Sequence, residues 1–370
     1  MIGFAIPFVI LMYFTSIFGI LLYWGLNSIV FLLDKKHRSI IDFITGTYVV
    51  RVVEHKKTVS VKPSIEQTKK STLHEVPCLN QIDLHIHSTF SNKGTYDVEE
   101  IFQLAKRNGL KAISITDLNT VKANTIALHM SELYGVQYIS GVEICAQFEN
   151  QVVNVLGYFI DPKNELYRTI ENDFIKMQKK VSIKRVALFE KELNTHIDIN
   201  QLLSDNRFQQ ITPEMLAAHV LNHPKCNDNE LLKSYRNENC KRPVHELVND
   251  YFIKGKSCYV PMTYPLLQDV IDVIKLSKGV VVLANPYDFM HNHNSSFEKA
   301  LALGVEGLEV FRCDYTDQEM VELMKVAKEN KLFVTCGSDF YNDKHGNTIG
   351  NCNCPKDAET LVEMFMYTNR

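Results

Sequence analysis

Asp83-Leu84-His85-Ile86-His87-Ser88, "DLHIHS", is the stretch on which the reading of this chain turns. In a β-strand successive side chains alternate between faces, so Asp83, His85 and His87 share one face while Leu84 and Ile86 share the other. One face is then apolar, and the other is able to hold a cation. These six residues leave two readings open: a half-buried strand with hydrogen-bonded histidines, or a strand that carries metal ligands. The choice between them depends on what surrounds the stretch.

Around it, short β-rich runs alternate with amphipathic helices. "QIDLHIHS" (81–88) is followed by "DVEEIFQLAKRNG" (97–109), "KAISITD" (111–117), a helix through Leu133, and "VQYISGVEICAQF" (136–148). The pattern resumes with "GVVVLANP" (279–286), a helix over 296–303, "VEGLEVF" (305–311), a helix over 317–330, and "LFVTCGSDF" (332–340). Strands alternating with helices indicate βαβ units and a parallel sheet. Residues 163–260, between the two sets, are mostly helical and charged and read as an inserted subdomain.

Seven landmarks in this region resemble, in order, the PHP (polymerase and histidinol phosphatase) superfamily. They are DLHIHS (83–88), SITDLN (114–119), GVEI (141–144), VLGYFID (155–161), LANP (283–286), GLEVF (307–311) and CGSDF (336–340). The resemblance implies an α/β fold, a distorted (β/α)7 barrel of PHP type with a helical insertion, and metal ions at the C-terminal ends of the strands. It also implies that His85 and His87 are ligands. One ion would be held by His85, His87, Glu143 and Asp339, all present. A second would share Glu143 and need ligands at 154 and 285, where this chain has Asn154 and Asn285. A third would need ligands at 92, 118 and 341, where it has Asn92, Leu118 and Tyr341.

Five usual ligand positions are therefore substituted, and one site keeps its full set. Asn offers a carbonyl oxygen to a hard cation but does not replace imidazole for zinc, iron or manganese, and Leu offers nothing. The expected cofactor is one divalent transition metal, Zn, Mn or Fe, with no organic cofactor. Asp117, kept from the same set of motifs, has two readings: a carboxylate that orients His85 or His87, or a cap on the following helix. "QQITPEML" (209–216) lacks the Arg that relatives commonly place there to bind substrate phosphate. Arg312 and Asp314 follow the GLEVF strand at the barrel mouth. His291 and His293 in "DFMHNHN" read as a hydrophilic loop, and Cys352 and Cys354 in "GNCNCP" as a surface turn.

The chain has 370 residues and a net charge of −3, so no basic stripe argues for nucleic acid as a partner. Nine cysteines, an odd number scattered through the elements, suit a reducing compartment. Residues 2–33 carry no Asp, Glu, Lys or Arg, the signature of a transmembrane segment. As one helix they would run about 48 Å, against a hydrocarbon core of about 30 Å, so a tilted span or a pair of short ones is expected. Lys35-Lys36-His37-Arg38 follows, which places the rest of the chain in the cytoplasm. "LDKKHRSIIDFITGTYVVRVVE" (33–54) resembles the end of an RDD-family membrane domain, without that family's earlier helices. The expected organisation is a membrane segment over 1–54, a linker over 55–80, a PHP-like domain over 81–345 and a C-terminal tail over 346–370.

Two functions follow. The loss of two metal sites favours a membrane-anchored cytoplasmic domain that binds or senses a small molecule with little turnover. The alternative is a mononuclear metal-dependent phosphoesterase or hydrolase acting on a small phosphorylated or nucleotide-like substrate. The lipid bilayer and a small-molecule ligand are the partners both imply.

Overall fold

β1 (Ile82–Ile86) and β2 (Ala112–Ile115) are buried at every residue and pair in parallel. Strands covered on both faces read as unbroken apolar runs, and "AISI" is such a run. The computed structural model describes residues 80–204, 208, 210–342 and 348–368. The expected transmembrane segment, the RDD-like stretch and the linker lie outside these residues. Among the described residues no helix is long and apolar enough to cross a membrane.

With β3 (Gln137–Tyr138) the first two strands form a sheet in the order β1-β2-β3. A second sheet runs in sequence order through β4 (Gly141–Phe148), β5 (Gln151–Tyr158), β6 (Val280–Ala284), β7 (Gly307–Phe311) and β8 (Phe333–Cys336). β5 is antiparallel to both β4 and β6, whereas β6, β7 and β8 are parallel.

The expected (β/α)7 barrel is not closed. Two sheets face each other across two seams, each spanned by a single bridge, Leu118 with Glu143 and Ile86 with Phe340. Side chains interrupt the ladders there. At the first seam the Asn119 Oδ1 accepts the Cys145 N–H at 3.2 Å. At the second, the Asp83 carboxylate accepts Ser338 N–H at 3.0 Å, Ser338 Oγ–H at 2.6 Å and Gly350 N–H at 2.8 Å. Amide protons that a neighbouring strand could have used are already satisfied, so pairing stops after one bridge.

α1 (Val98–Arg107) opens on a capping box between Asp97 and Glu100 and buries Val98, Ile101, Phe102 and Ala105. These positions follow helical spacing, which turns one stripe onto the sheet. α2 (Ala123–Tyr134) follows β2. α3 (Glu165–Leu193), α4 (Ile199–Ser204), α5 (Pro213–Asn222) and α6 (Pro243–Tyr251) then occupy the interval between β5 and β6. Val186, Phe189 and Leu193 of α3 share with Leu216, Val220 and Leu247 an apolar core separate from that of the sheets.

α7 (Leu267–Leu276) leads into β6, after which come α8 (Pro286–Asn292) and α9 (Asn294–Ala302). "DFMHNHN" is thus helical rather than a loop except at His293, which separates the two helices. Pro286 stands in the first turn, where its missing N–H costs nothing, and the His291 ring stacks on Tyr287 at 5.7 Å. α10 (Asp317–Glu329) precedes β8, and α11 (Glu359–Thr368) packs on that strand. Cys352 and Cys354 are buried beneath it and not in a surface turn. Phe365 of α11 meets Tyr158, Phe159 and Phe333 edge-on at 5.4–5.5 Å, because an aromatic pair gains from edge-to-face contact in addition to burial.

Phe365→Ala is expected to lower stability by about 3–5 kcal/mol, as for a fully buried ring, and chemical denaturation monitored by circular dichroism measures it. A change below about 1 kcal/mol would mean that α11 is not part of the core.

Candidate metal centre

β1 turns His85 and His87 to one side, as the alternation of its residues requires, and both are fully buried. Across the gap, β8 delivers Asp339 three residues beyond its end, with φ 48°, in the left-handed region that Asp tolerates better than most residues. Gly337 makes this approach possible, since a Cβ there would collide with the His85 Cβ and the Glu309 carboxylate. β4 supplies Glu143 and β7 supplies Glu309, both fully buried.

His85, His87 and Asp339 each offer a ligand atom, and these atoms all lie within 4.8 Å of one another. Asp339 Oδ1 is 3.8 Å from His85 Nε2 and 3.1 Å from His87 Nε2. Glu143 lies alongside, its carboxylate oxygens 3.7 Å from His85 Nε2 and 3.5 Å from His87 Nε2. None of these nitrogens makes a hydrogen bond, nor does Glu143 Oε2, although all are buried. Unpaired buried polar atoms of this kind are costly unless something else satisfies them.

The far side of His85 is satisfied. Its Nδ1 is 2.7 Å from Glu309 Oε1, and an ionised carboxylate only accepts, so Nδ1 carries a proton and Nε2, facing Asp339 and Glu143, is the nitrogen that ligates once it gives up its own. A carboxylate behind a histidine in this way fixes its tautomer and raises its basicity as a metal ligand. Burial opposes charge on His85, but Glu309 outweighs it, with help from Glu143 and Asp339, and the imidazole is raised to about 10. Burial likewise opposes charge on Glu143, yet His85, His87 and Lys93 hold it down to about 2. Asp339 is lowered by the same two histidines and Lys93. Without a metal, Lys93, Arg312 and a proton on His85 balance the three carboxylates. Two imidazole nitrogens with carboxylate oxygens form a donor set that fits Zn²⁺, Mn²⁺ or Fe²⁺.

The substituted positions fall around this cluster. Asn154 Nδ2 donates to Glu143 Oε1 at 2.8 Å and holds that carboxylate. Asn285, at φ 47°, donates its backbone N–H to Glu309 Oε2 at 3.1 Å, and its Oδ1 is buried and unpaired. Asn92 Nδ2 donates to Gln210 Oε1 at 2.7 Å, near the surface. Leu118 bridges to Glu143, and the Tyr341 carbonyl accepts from Thr95. Asp117 does not cap the following helix, and its carboxylate is charge-coupled to His87. Its carboxylate accepts Ser88 N–H at 2.7 Å and Ser88 Oγ–H at 2.5 Å, and α2 begins beyond Lys122 with no side-chain cap. It shapes the turn after β1.

Residues 83–273 match the PHP domain family. The chain belongs to the PHP domain family. Its relatives include a 5′-3′ exoribonuclease of Haemophilus influenzae, 23% identical over 266 residues that cover 70% of this chain and 89% of that protein. A phosphoribosyl 1,2-cyclic phosphate 1,2-diphosphodiesterase of Eggerthella lenta is 24% identical over 267 residues, 70% of this chain and 93% of that one. Among solved structures, a putative metal-dependent phosphoesterase of Bifidobacterium adolescentis superposes with a TM-score of 0.59 at 23% identity, covering 77% of this chain and 96% of that one. That likeness supports a PHP-type α/β fold. The family match begins at residue 83, so the RDD resemblance of residues 33–54 lies outside it and outside the described structure.

Glu309 was not singled out from the PHP motifs. A single acid inside the apolar strand "GLEVF" is the signal that points to it, since a buried carboxylate needs a partner. Lys93 and Arg312 also approach the centre, at 3.2 Å and 3.6 Å from Asp339.

The protein is expected to bind one equivalent of Mn²⁺ or Zn²⁺, measured by elemental analysis after dialysis, and to lose it when His85 and His87 are both Ala. Glu309→Gln is expected to weaken the affinity by roughly 10–100-fold, the usual effect of losing a carboxylate behind a metal-bound histidine.

Proposed function

We propose that this PHP-domain protein is a mononuclear metal-dependent phosphoesterase acting on small phosphorylated or nucleotide-like substrates. The observation that carries the reading is the convergence of the unpaired His85 and His87 Nε2 atoms on Asp339 Oδ1, with Glu309 behind His85. The activities named for the two relatives, on RNA ends and on a cyclic sugar phosphate, are both cleavages of phosphate esters and support the same class of reaction here.

His85, His87 and Asp339 would hold the ion, with Glu143 beside them. Bound there, a divalent ion supplies Lewis-acid polarisation of a phosphoryl oxygen and lowers the pKa of a coordinated water. The chain's own residues do the rest. Glu309 keeps His85 in the ligating tautomer, and Asn154 orients Glu143. The Arg312 guanidinium bonds Glu309 at 3.1 Å and Asp314 at 2.9 and 3.0 Å, adding fixed positive charge close to the centre. Such charge favours a transition state in which negative charge builds on phosphoryl oxygens.

A second reading, ligand binding without efficient turnover, has its own support in Asn154 and Asn285. Activity decides between them. The metal-loaded chain is expected to hydrolyse a generic aryl phosphate, and His85→Ala with His87→Ala is expected to reduce the rate by roughly 10²–10³-fold, the scale of several kcal/mol of lost charge stabilisation. Metal-loaded protein that binds phosphate without turnover supports the second reading. Asn154→His with Asn285→His is expected to add a second metal equivalent and raise the rate. A cavity of about 320 Å³ lined by both residues leaves room for the rings.

The same proposal keeps the domain anchored at a membrane and facing the cytoplasm, from the uncharged run 2–33 and the basic run 35–38. Protease added to intact cells is expected to leave it uncut, and cleavage from outside would reverse the orientation.

A further inference from the structure

We propose that Lys93 binds the phosphoryl group of the substrate, and that a metal ion frees it for this task by displacing its ammonium from Asp339. The identity of the anion rests on the phosphoesterase reading above.

Asp339 Oδ1 faces two kinds of partner at once. The imidazole Nε2 atoms of His85 and His87 lie 3.8 and 3.1 Å from it, and Lys93 Nζ lies 3.2 Å from it. A divalent ion held by His85, His87 and Asp339 would put like charge beside the ammonium and favour its leaving Asp339. Lys93 has the means to do so. Its side chain is 35% exposed, its stem is flexible, and its head carries three donors that rotate freely.

Arg312 does not have that freedom. Its side chain is 5% exposed and bonds Glu309 and both oxygens of Asp314, while its guanidinium lies 5.7 Å from the Tyr315 ring centre. It stays on the Oδ2 side of Asp339, at 3.6 Å, and fixes that carboxylate's position. The two cations thus divide the work, one as part of the frame and the other as a mobile arm.

The loop that carries Lys93 is seated for this role. At Gly94 a Cβ would collide with the Ser88 and His87 carbonyls, so the loop lies directly on the end of β1. The Thr95 N–H and hydroxyl both bond the Tyr341 carbonyl, at 3.0 and 3.1 Å. Lys93 follows directly on Phe90, Ser91 and Asn92, which with Leu118, Phe174 and Phe208 help line a cavity of about 270 Å³. The ammonium adjoins the metal ligands, and the residues just before it in the chain line a space large enough for the remainder of a small phosphorylated molecule.

Two measurements on the full-length chain test the proposal, and it requires opposite effects in them. Lys93→Met is expected to tighten Mn²⁺ binding by roughly tenfold or more, measured by competition with a chelating dye, because a competing charge is gone. The Mn²⁺-loaded variant is expected to bind inorganic phosphate roughly tenfold or more weakly by calorimetry, because a charge-assisted donor is gone. Lys93→Arg is expected to restore phosphate binding. Lys93→Gln serves for both measurements if the Met variant does not fold. Unchanged or weaker metal binding in the neutral variants overturns the proposal, as does undiminished phosphate binding. Turnover separates it from the reading beneath it. Both shifts in a chain that never cleaves a phosphoester remove the phosphoesterase and leave the anion site. An active chain without the shifts does the reverse.

Discussion

Negative charge taken out of water has to be matched, and this fold takes five carboxylates out of water around one point. Asp83 and Asp117 are matched by amide and hydroxyl donors, which is how an acid serves as structure. Glu143, Glu309 and Asp339 instead face histidines, an arginine and a lysine. With neutral imidazoles, Lys93 and Arg312 leave the three carboxylates one positive charge short, which a proton on His85 makes good. A divalent ion would turn that deficit into a surplus facing the substrate. The strands, the seams and the glycine at 337 are arranged so that these groups meet there.

Much of this was legible in the sequence, because period and motif act locally. The alternation in "DLHIHS" put His85 and His87 on one side of a strand, and the βα rhythm led to the parallel pairs. What the sequence did not reveal depended on contacts between distant segments. The barrel's failure to close rests on where Asp83 and Asn119 send their side chains, which no periodicity reports. Asp117 bonds Ser88 across the turn, a partner that no periodicity reports. Glu309 lay unnoticed inside an apolar strand, and the two cysteines at 352 and 354 were read as exposed because small polar neighbours surround them. Burial by α11 reverses that reading.

The substituted positions are not scattered over the site. Asn92 and Leu118 line one cavity, of about 270 Å³, and Asn154 and Asn285 line another, of about 320 Å³. At four of the five positions where the PHP resemblance puts ligands, this chain has Asn or Leu beside open space. The aromatic walls at Phe90, Phe174 and Phe208 make part of the first cavity apolar.

The ends of the described domain are tied together. Asn80 bonds the Gly350 carbonyl through its N–H at 2.8 Å, and its side chain both donates to the Cys354 carbonyl and accepts from the Cys354 N–H. The knot lies two residues before the strand that bears His85 and His87. Any pull or jostling from the chain upstream is therefore carried into the C-terminal segment and the core beneath α11 before it reaches β1. Mechanically, the candidate ligands are braced through the C-terminal segment as well as through their own strand.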